Sequence, residues 1–233
     1  MTAYIDSVRL HLAAGPSGAR QLLEKTGISQ PTLSRTVAAM GDQVVRIGAA
    51  RSIQYALRDT RRALDDTPLY RVGADGRIKP LGVLIPVSPD GFVMRQADGV
   101  SLHSDSLPWW LLDMRPQGFL GRAYAARHAE TLGLPARLSD WSDAQVLRAL
   151  IAHGLDAVGN LLLGDAMRER FLDAPPPAPI PAGVKGEADA RLAQEAASGD
   201  IPGSSAGGEQ PKFATFAETP DGPRHVLLTS SPP

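Results

Sequence analysis

A chain of 233 residues with 43% hydrophobic and 21% charged side chains can bury one large or two small folded cores. It has no cysteine, which excludes disulfides, thiolate zinc sites and cysteine nucleophiles, and no run near the roughly 20 apolar residues of a membrane span. Its net charge of −1 is unevenly spread: residues 1–62 carry nine Lys/Arg against four Asp/Glu, and residues 63–233 carry fifteen against twenty-one. A basic leading module ahead of a mildly acidic body favours contact with a polyanion. Residues 1–15 lack the basic start and unbroken apolar core of an export signal, so a cytoplasmic location is expected, away from any membrane.

Three short helical patterns open the chain. Tyr4, Ile5, Val8 and Leu12 recur at helical spacing until Gly15-Pro16 stops the run. Ser17 is placed to cap a second helix, with Leu22 and Leu23 facing inward and Gly27 at its end. Ser29 caps a third, with Pro31 tolerated in the first turn. Its inner face is Leu33, Val37 and Met40, and its outer face is Gln30, Thr32, Ser34 and Arg35. Amides and guanidinium groups on such a face can reach base edges in a major groove, and hydroxyls can reach phosphates. Residues 44–47 and 53–57 read as a hairpin around Gly48–Ser52, decorated by Arg46, Arg51 and Arg58. Helix, helix, recognition-type helix and basic hairpin resemble a winged helix-turn-helix, carried most clearly by residues 27–35. A helical packing unit that binds no nucleic acid is the competing reading. Binding through so few phosphate contacts would be salt-sensitive, and a homodimer is the expected route to tight, specific binding.

A polar junction follows at residues 60–67. Residues 69–72, 78–87 and 92–94, separated by Asp75-Gly76 and Asp90-Gly91 turns, predict a small antiparallel sheet. Trp109-Trp110-Leu111-Leu112 reads as core or interface and leads into a helix around residues 122–132. Ser142-x-x-Gln145 is a capping box for another helix, and residues 159–164 predict a buried strand. The five histidines show no metal-ligand spacing, and the one local pair, His103 and Asp105, reads as a solvated loop. Residues 173–181 form a polyproline-type spacer, semi-rigid and exposed. A helix over 186–198 then precedes a glycine-rich loop and a hairpin around Asp221-Gly222.

That loop, Gly203-Ser204-Ser205-Ala206-Gly207-Gly208-Glu209-Gln210-Pro211-Lys212, has the composition of a phosphate site. It fits neither a Walker loop nor a dinucleotide fingerprint, because a strand and a hairpin follow it rather than a helix. Residues 204–212, together with Pro108-Trp109-Trp110-Leu111-Leu112-Asp113-Met114-Arg115-Pro116-Gln117-Gly118-Phe119-Leu120-Gly121-Arg122, resemble the HipA-type serine/threonine kinases of toxin–antitoxin systems, in the branch with a fused winged helix-turn-helix. The resemblance implies an α+β chain: a DNA-binding domain at 1–62, a HipA-like N-terminal subdomain at 67–173, a Pro-rich linker at 174–185, and at 186–233 the start of a kinase-like nucleotide lobe. It implies Ser204 or Ser205 as autophosphorylation sites and Gly207, Gly208, Gln210 and Lys212 as the phosphate loop.

Two departures count against activity. Thr229 stands where the family carries its ATP-holding lysine, and the chain ends before the family's catalytic aspartate and metal-binding residues. No catalytic or metal-ligating residue is assigned. The expectation is a truncated HipA-like protein without kinase activity alone, which binds DNA through Gln30, Thr32, Ser34, Arg35, Arg46 and Arg51 and regulates its own transcription. The competing reading is a kinase toxin using ATP and Mg, completed by a missing or separately encoded C-lobe. An antitoxin-like interaction partner is a third.

Overall fold

The computed structural model describes residues 2–49, 52–73, 75–157, 159–175, 178–198 and 212–229, which form helices and antiparallel sheets in a mixed α+β arrangement. Two compact units divide them, Met1–Pro108 and Trp109–Pro233.

In the first unit, helices α1 (Thr2–Ala13), α2 (Ala19–Thr26) and α3 (Gln30–Met40) come together because each carries an apolar stripe at helical spacing. Val8, Leu12, Leu22, Leu33 and Met40 form their buried cluster, with Val37 at its edge. Burying each such side chain contributes about 1.5–3 kcal/mol. Gly27 ends α2 in the left-handed region (φ 68°), and its N–H donates to the Leu23 carbonyl at 2.9 Å. Ser17 does not cap α2. It lies buried in a two-residue strand, β1 (Ser17–Gly18), opposite Tyr55, and Gly18 becomes the cap, its N–H donating to Gln21 Oε1 at 3.2 Å.

Strands β2 (Val44–Ile47) and β3 (Gln54–Leu57) follow, and the antiparallel order is β1-β3-β2. Alternation sets their faces: Val45 and Ile47 are buried and Arg46 between them is exposed. A second antiparallel sheet runs β4 (Thr67–Val72), β5 (Ile78–Val87), β6 (Gly91–Gln96) and β7 (Ser101–Ser104), each strand beside the next. At Gly82 (φ +145°) the register shifts opposite Leu69/Tyr70, and a Cβ there would lie 2.0 Å from the Arg95 carbonyl oxygen. Only glycine fits this approach.

The expected boundary at 62–67 is not where the compact units part. Val45, Ile47 and Ala56 share a buried cluster with Ile85, Val87 and Val93. The polar junction is also tied down. The fully buried Asp59 carboxylate accepts from the Arg61 N–H at 2.7 Å and from Arg62 Nε at 2.6 Å. Arg62 in turn donates to the carbonyls of Val87 (2.9 Å), Asp90 (2.7 Å) and Gly91 (2.7 Å) and lies 4.7 Å over the Phe92 ring.

The second unit opens with a 3-10 helix, Trp109–Met114. Three residues per turn put Leu111 and Met114 inward and Trp109 and Leu112 outward, so Trp109 is 79% exposed rather than part of a core. Helix α4 (Gly118–His128) packs on α5 (Asp143–His153), with Tyr124 Oη donating to the Ala149 carbonyl at 2.9 Å. The capping box forms: Gln145 N–H donates to Ser142 Oγ at 3.3 Å, and Ser142 N–H to Gln145 Oε1 at 2.8 Å. Next come the buried strand β8 (Leu161–Leu163), helix α6 (Asp165–Asp173) and helix α7 (Lys185–Ser198). Strands β9 (Lys212–Ala217) and β10 (Arg224–Thr229) close into a hairpin. The spacer is not exposed throughout: Ile180 bridges to Ala217, with its N–H donating to the Phe216 carbonyl at 2.8 Å. Of the expected nucleotide lobe, the described residues hold α7 and this hairpin.

Candidate nucleic-acid interface

Helix α3 turns one polar face of the basic module outward. Leu33, Thr36 and Met40 turn inward, and Thr36 satisfies its hydroxyl on the Thr32 carbonyl at 2.8 Å. The opposite side carries Gln30, Ser34 and Arg35, all exposed, then the small residues Ala38 and Ala39. No carboxylate lies on this helix. Thr32 is half-buried, its hydroxyl 3.0 Å from that of Ser29, so it is tied to the helix entry and less available than its neighbours. Arg35 lies back along the helix, with Nε donating to the Pro31 carbonyl at 3.3 Å.

Pairing within the module decides where its positive charge remains available. Asp6 holds Arg9 at 2.9 Å and Glu24 holds Arg20 at 2.9 Å, while Asp59 takes Arg61 and Arg62. Arg58 is corrected from a wing residue to a structural one: Asp66 pairs with it, and its Nε donates to the Asp42 carbonyl at 2.9 Å. Among the described residues, Lys25, Arg35 and Arg46 have no carboxylate partner, and they stand on α2, α3 and β2. Lys25 was missed in the sequence because charge alone does not separate it from Arg20, which Glu24 pairs one helical turn on.

Arg46 sits exposed opposite Tyr55, where the β2–β3 register fixes it. Arg51 lies outside the described residues, as do Ser204, Ser205, Gly207, Gly208 and Gln210 of the glycine-rich loop. Lys212 begins β9, in register with Thr229. His103 is not on a solvated loop: it belongs to β7, with Nδ1 3.8 Å from Asp105 Oδ1. Burial holds its pKa below the ordinary 6.5, against the opposing pull of Asp105. His128 and His153, far apart in sequence, stack with ring centroids 4.1 Å apart. Among the described residues no group of three or more His, Asp or Glu is placed to hold a metal ion, and no helix is long and apolar enough to cross a membrane.

The family described as "YjjJ-like toxin, middle domain" matches residues 63–172. Over 223 residues the chain is 40% identical to "Toxin YjjJ" of Escherichia coli (strain K12), covering 95% of this chain and 50% of that protein. The chain thus spans about half the length of the curated relative it matches. No solved structure matches it. These matches correct the kinase assignment: the glycine-rich loop and the Pro-Trp-Trp segment suggested HipA-type kinases, but short motifs weigh less than similarity along almost the whole chain. The chain is similar to Toxin YjjJ, and its middle to the middle domain of YjjJ-like toxins, rather than to a HipA-type kinase.

Proposed function

We propose that the chain acts in a toxin of the YjjJ type, restrained by an antitoxin partner, and that residues 1–62 form a winged helix-turn-helix with which it contacts DNA. The toxin reading is carried by the 40% identity to Toxin YjjJ over 223 residues. Induced expression of the complete coding sequence that contains the chain arrests growth, and co-expression of the cognate antitoxin restores it. Unimpaired growth at confirmed expression contradicts the reading.

Support for the DNA contact comes from the element order and the charge distribution. Helix, strand, helix, helix, strand, strand with sheet order β1-β3-β2 suits a winged module, with α3 as recognition helix and the β2–β3 connection as wing. The cations without carboxylate partners, Lys25, Arg35 and Arg46, stand on or beside those elements. Gln30, Ser34 and Arg35 offer an amide, a hydroxyl and a guanidinium for base edges and phosphates, and Ala38 and Ala39 allow close backbone approach. DNA contact allows such a toxin to act on its own promoter. A mobility shift with the upstream duplex, lost in Arg35→Ala, is the expected result. A shift indifferent to Arg35→Ala and Arg46→Ala assigns any binding elsewhere.

A further inference from the structure

The second unit holds an open cavity of about 690 Å³, a size typical of small-molecule sites. Arg115, Arg122 and Arg137 line it, and no Asp or Glu does so among the described residues. Three arginines in one lining that carries no carboxylate give the concavity a cationic character that suits an anion. Arg115 is already fixed in place: its guanidinium donates to Asp143 Oδ1 at 2.7 Å and to the Trp141 carbonyl at 3.0 Å. Asp143 thus pairs with Arg115 and holds its guanidinium in place. Arg137 has no carboxylate partner among the described residues.

The backbone adds to the field. The wall includes Gln117 and Gly118, the cap and first residue of the 11-residue helix α4, whose first N–H groups have no intrahelical acceptor. The close packing around the cavity depends on Gly121, where a Cβ would lie 2.7 Å from the Pro116 carbonyl carbon and 2.8 Å from Leu138 Cδ1. Bare glycine lets the segment carrying Arg115 close onto the helix carrying Arg122. Ala126 contributes apolar lining beside the arginines, so the cavity offers an anionic subsite next to an uncharged one.

We infer that this cavity binds a small phosphorylated metabolite, its phosphate groups on Arg115, Arg122 and Arg137 and its organic portion on the apolar lining. Arginine suits the role because its planar fork pairs two donors with two phosphate oxygens. A concave site of this volume fits a compact ligand better than a nucleic-acid backbone, which needs an extended stripe. The lining shares no residue with helix α3, and the inference does not depend on the DNA-binding reading.

Isothermal titration of the whole chain with inorganic pyrophosphate and, separately, with ADP tests the inference. The expected result is saturable binding of both, tighter for ADP, and weakened about tenfold or more in Arg137→Gln and in Arg122→Gln. Arg115→Gln also disturbs the Asp143 and Trp141 contacts, so it serves only as a comparison, with circular dichroism to confirm folding. Failure of both probes to bind at millimolar concentration overturns the inference. So does binding that Arg122→Gln and Arg137→Gln leave unchanged, which places the anion elsewhere, the glycine-rich loop included. Arg35→Ala leaves this binding unaltered, which separates failure here from failure of the DNA contact.

Discussion

Replacing Arg62 with alanine tests the clamp that joins the helical module to the β4–β7 sheet. The side chain is 12% exposed and serves the fully buried Asp59 carboxylate together with the carbonyls of Val87, Asp90 and Gly91. Breaking a buried ion pair from one side costs about 3–5 kcal/mol, because the remaining charge is stranded. Arg61 still donates its N–H to Asp59, which favours the lower end, about 3 kcal/mol. For a unit near 100 residues that corresponds to a fall in Tm of roughly 12–15 °C. Urea unfolding of wild type, Arg62→Ala, Asp59→Asn and the double variant, followed by far-UV circular dichroism, supplies the numbers. The double variant should lose clearly less than the sum, since one change removes the charge that the other strands. A loss below about 1 kcal/mol, the range of an exposed pair, or simple additivity refutes the reasoning.

Acid should act through the same group. Burial alone would raise the Asp59 pKa, but the Arg61 N–H and the Arg62 guanidinium outweigh it and hold the group below its ordinary 3.8. Its contribution is therefore complete above about pH 4 and is lost as pH falls through the folded-state value, a slope that Asp59→Asn should flatten. His103 also has a lowered folded-state value, caused by burial, so stability is complete above about pH 6.5 and declines as pH falls below it; His103→Gln should remove that part of the slope. Gly82→Ala should cost roughly 3 kcal/mol or more in the same urea assay, since its Cβ meets the Arg95 carbonyl at 2.0 Å. A near-neutral Gly82→Ala would mean that β5 and β6 can separate there without penalty.

Local signals in the sequence carried well. Apolar spacing located α1, α2 and α3, and the Ser142–Gln145 pair located the start of α5, because each depends on residues within one or two turns. Long-range pairing was not legible. Arg62 read as part of a polar junction, yet it finds its carbonyl acceptors 25 to 29 residues away. Ser17 looked like a cap because nothing nearby reveals that Tyr55 will pair with it in a sheet. Strand β7 was overlooked, its four residues lacking an apolar alternation strong enough to stand out. Trp109 read as core or interface, and the three-residue period of its 3-10 helix turns it outward while Leu111 takes the inner place. At the candidate interface, the outer face of α3 was legible from helical spacing. The pairing of Arg58 with Asp66 was not, since it depends on which carboxylate reaches which cation.

The salt dependence of DNA binding tests the central claim most directly. Fluorescence anisotropy with an upstream duplex, between about 50 and 200 mM salt, should give a log–log slope of about −3 per chain for contacts from Lys25, Arg35 and Arg46. Arg35→Ala and Arg46→Ala should each make the slope shallower by about 1, while Arg20→Ala, already paired with Glu24, should leave it nearly unchanged. Equal effects from all three replacements, or a wild-type slope near zero, would contradict the account.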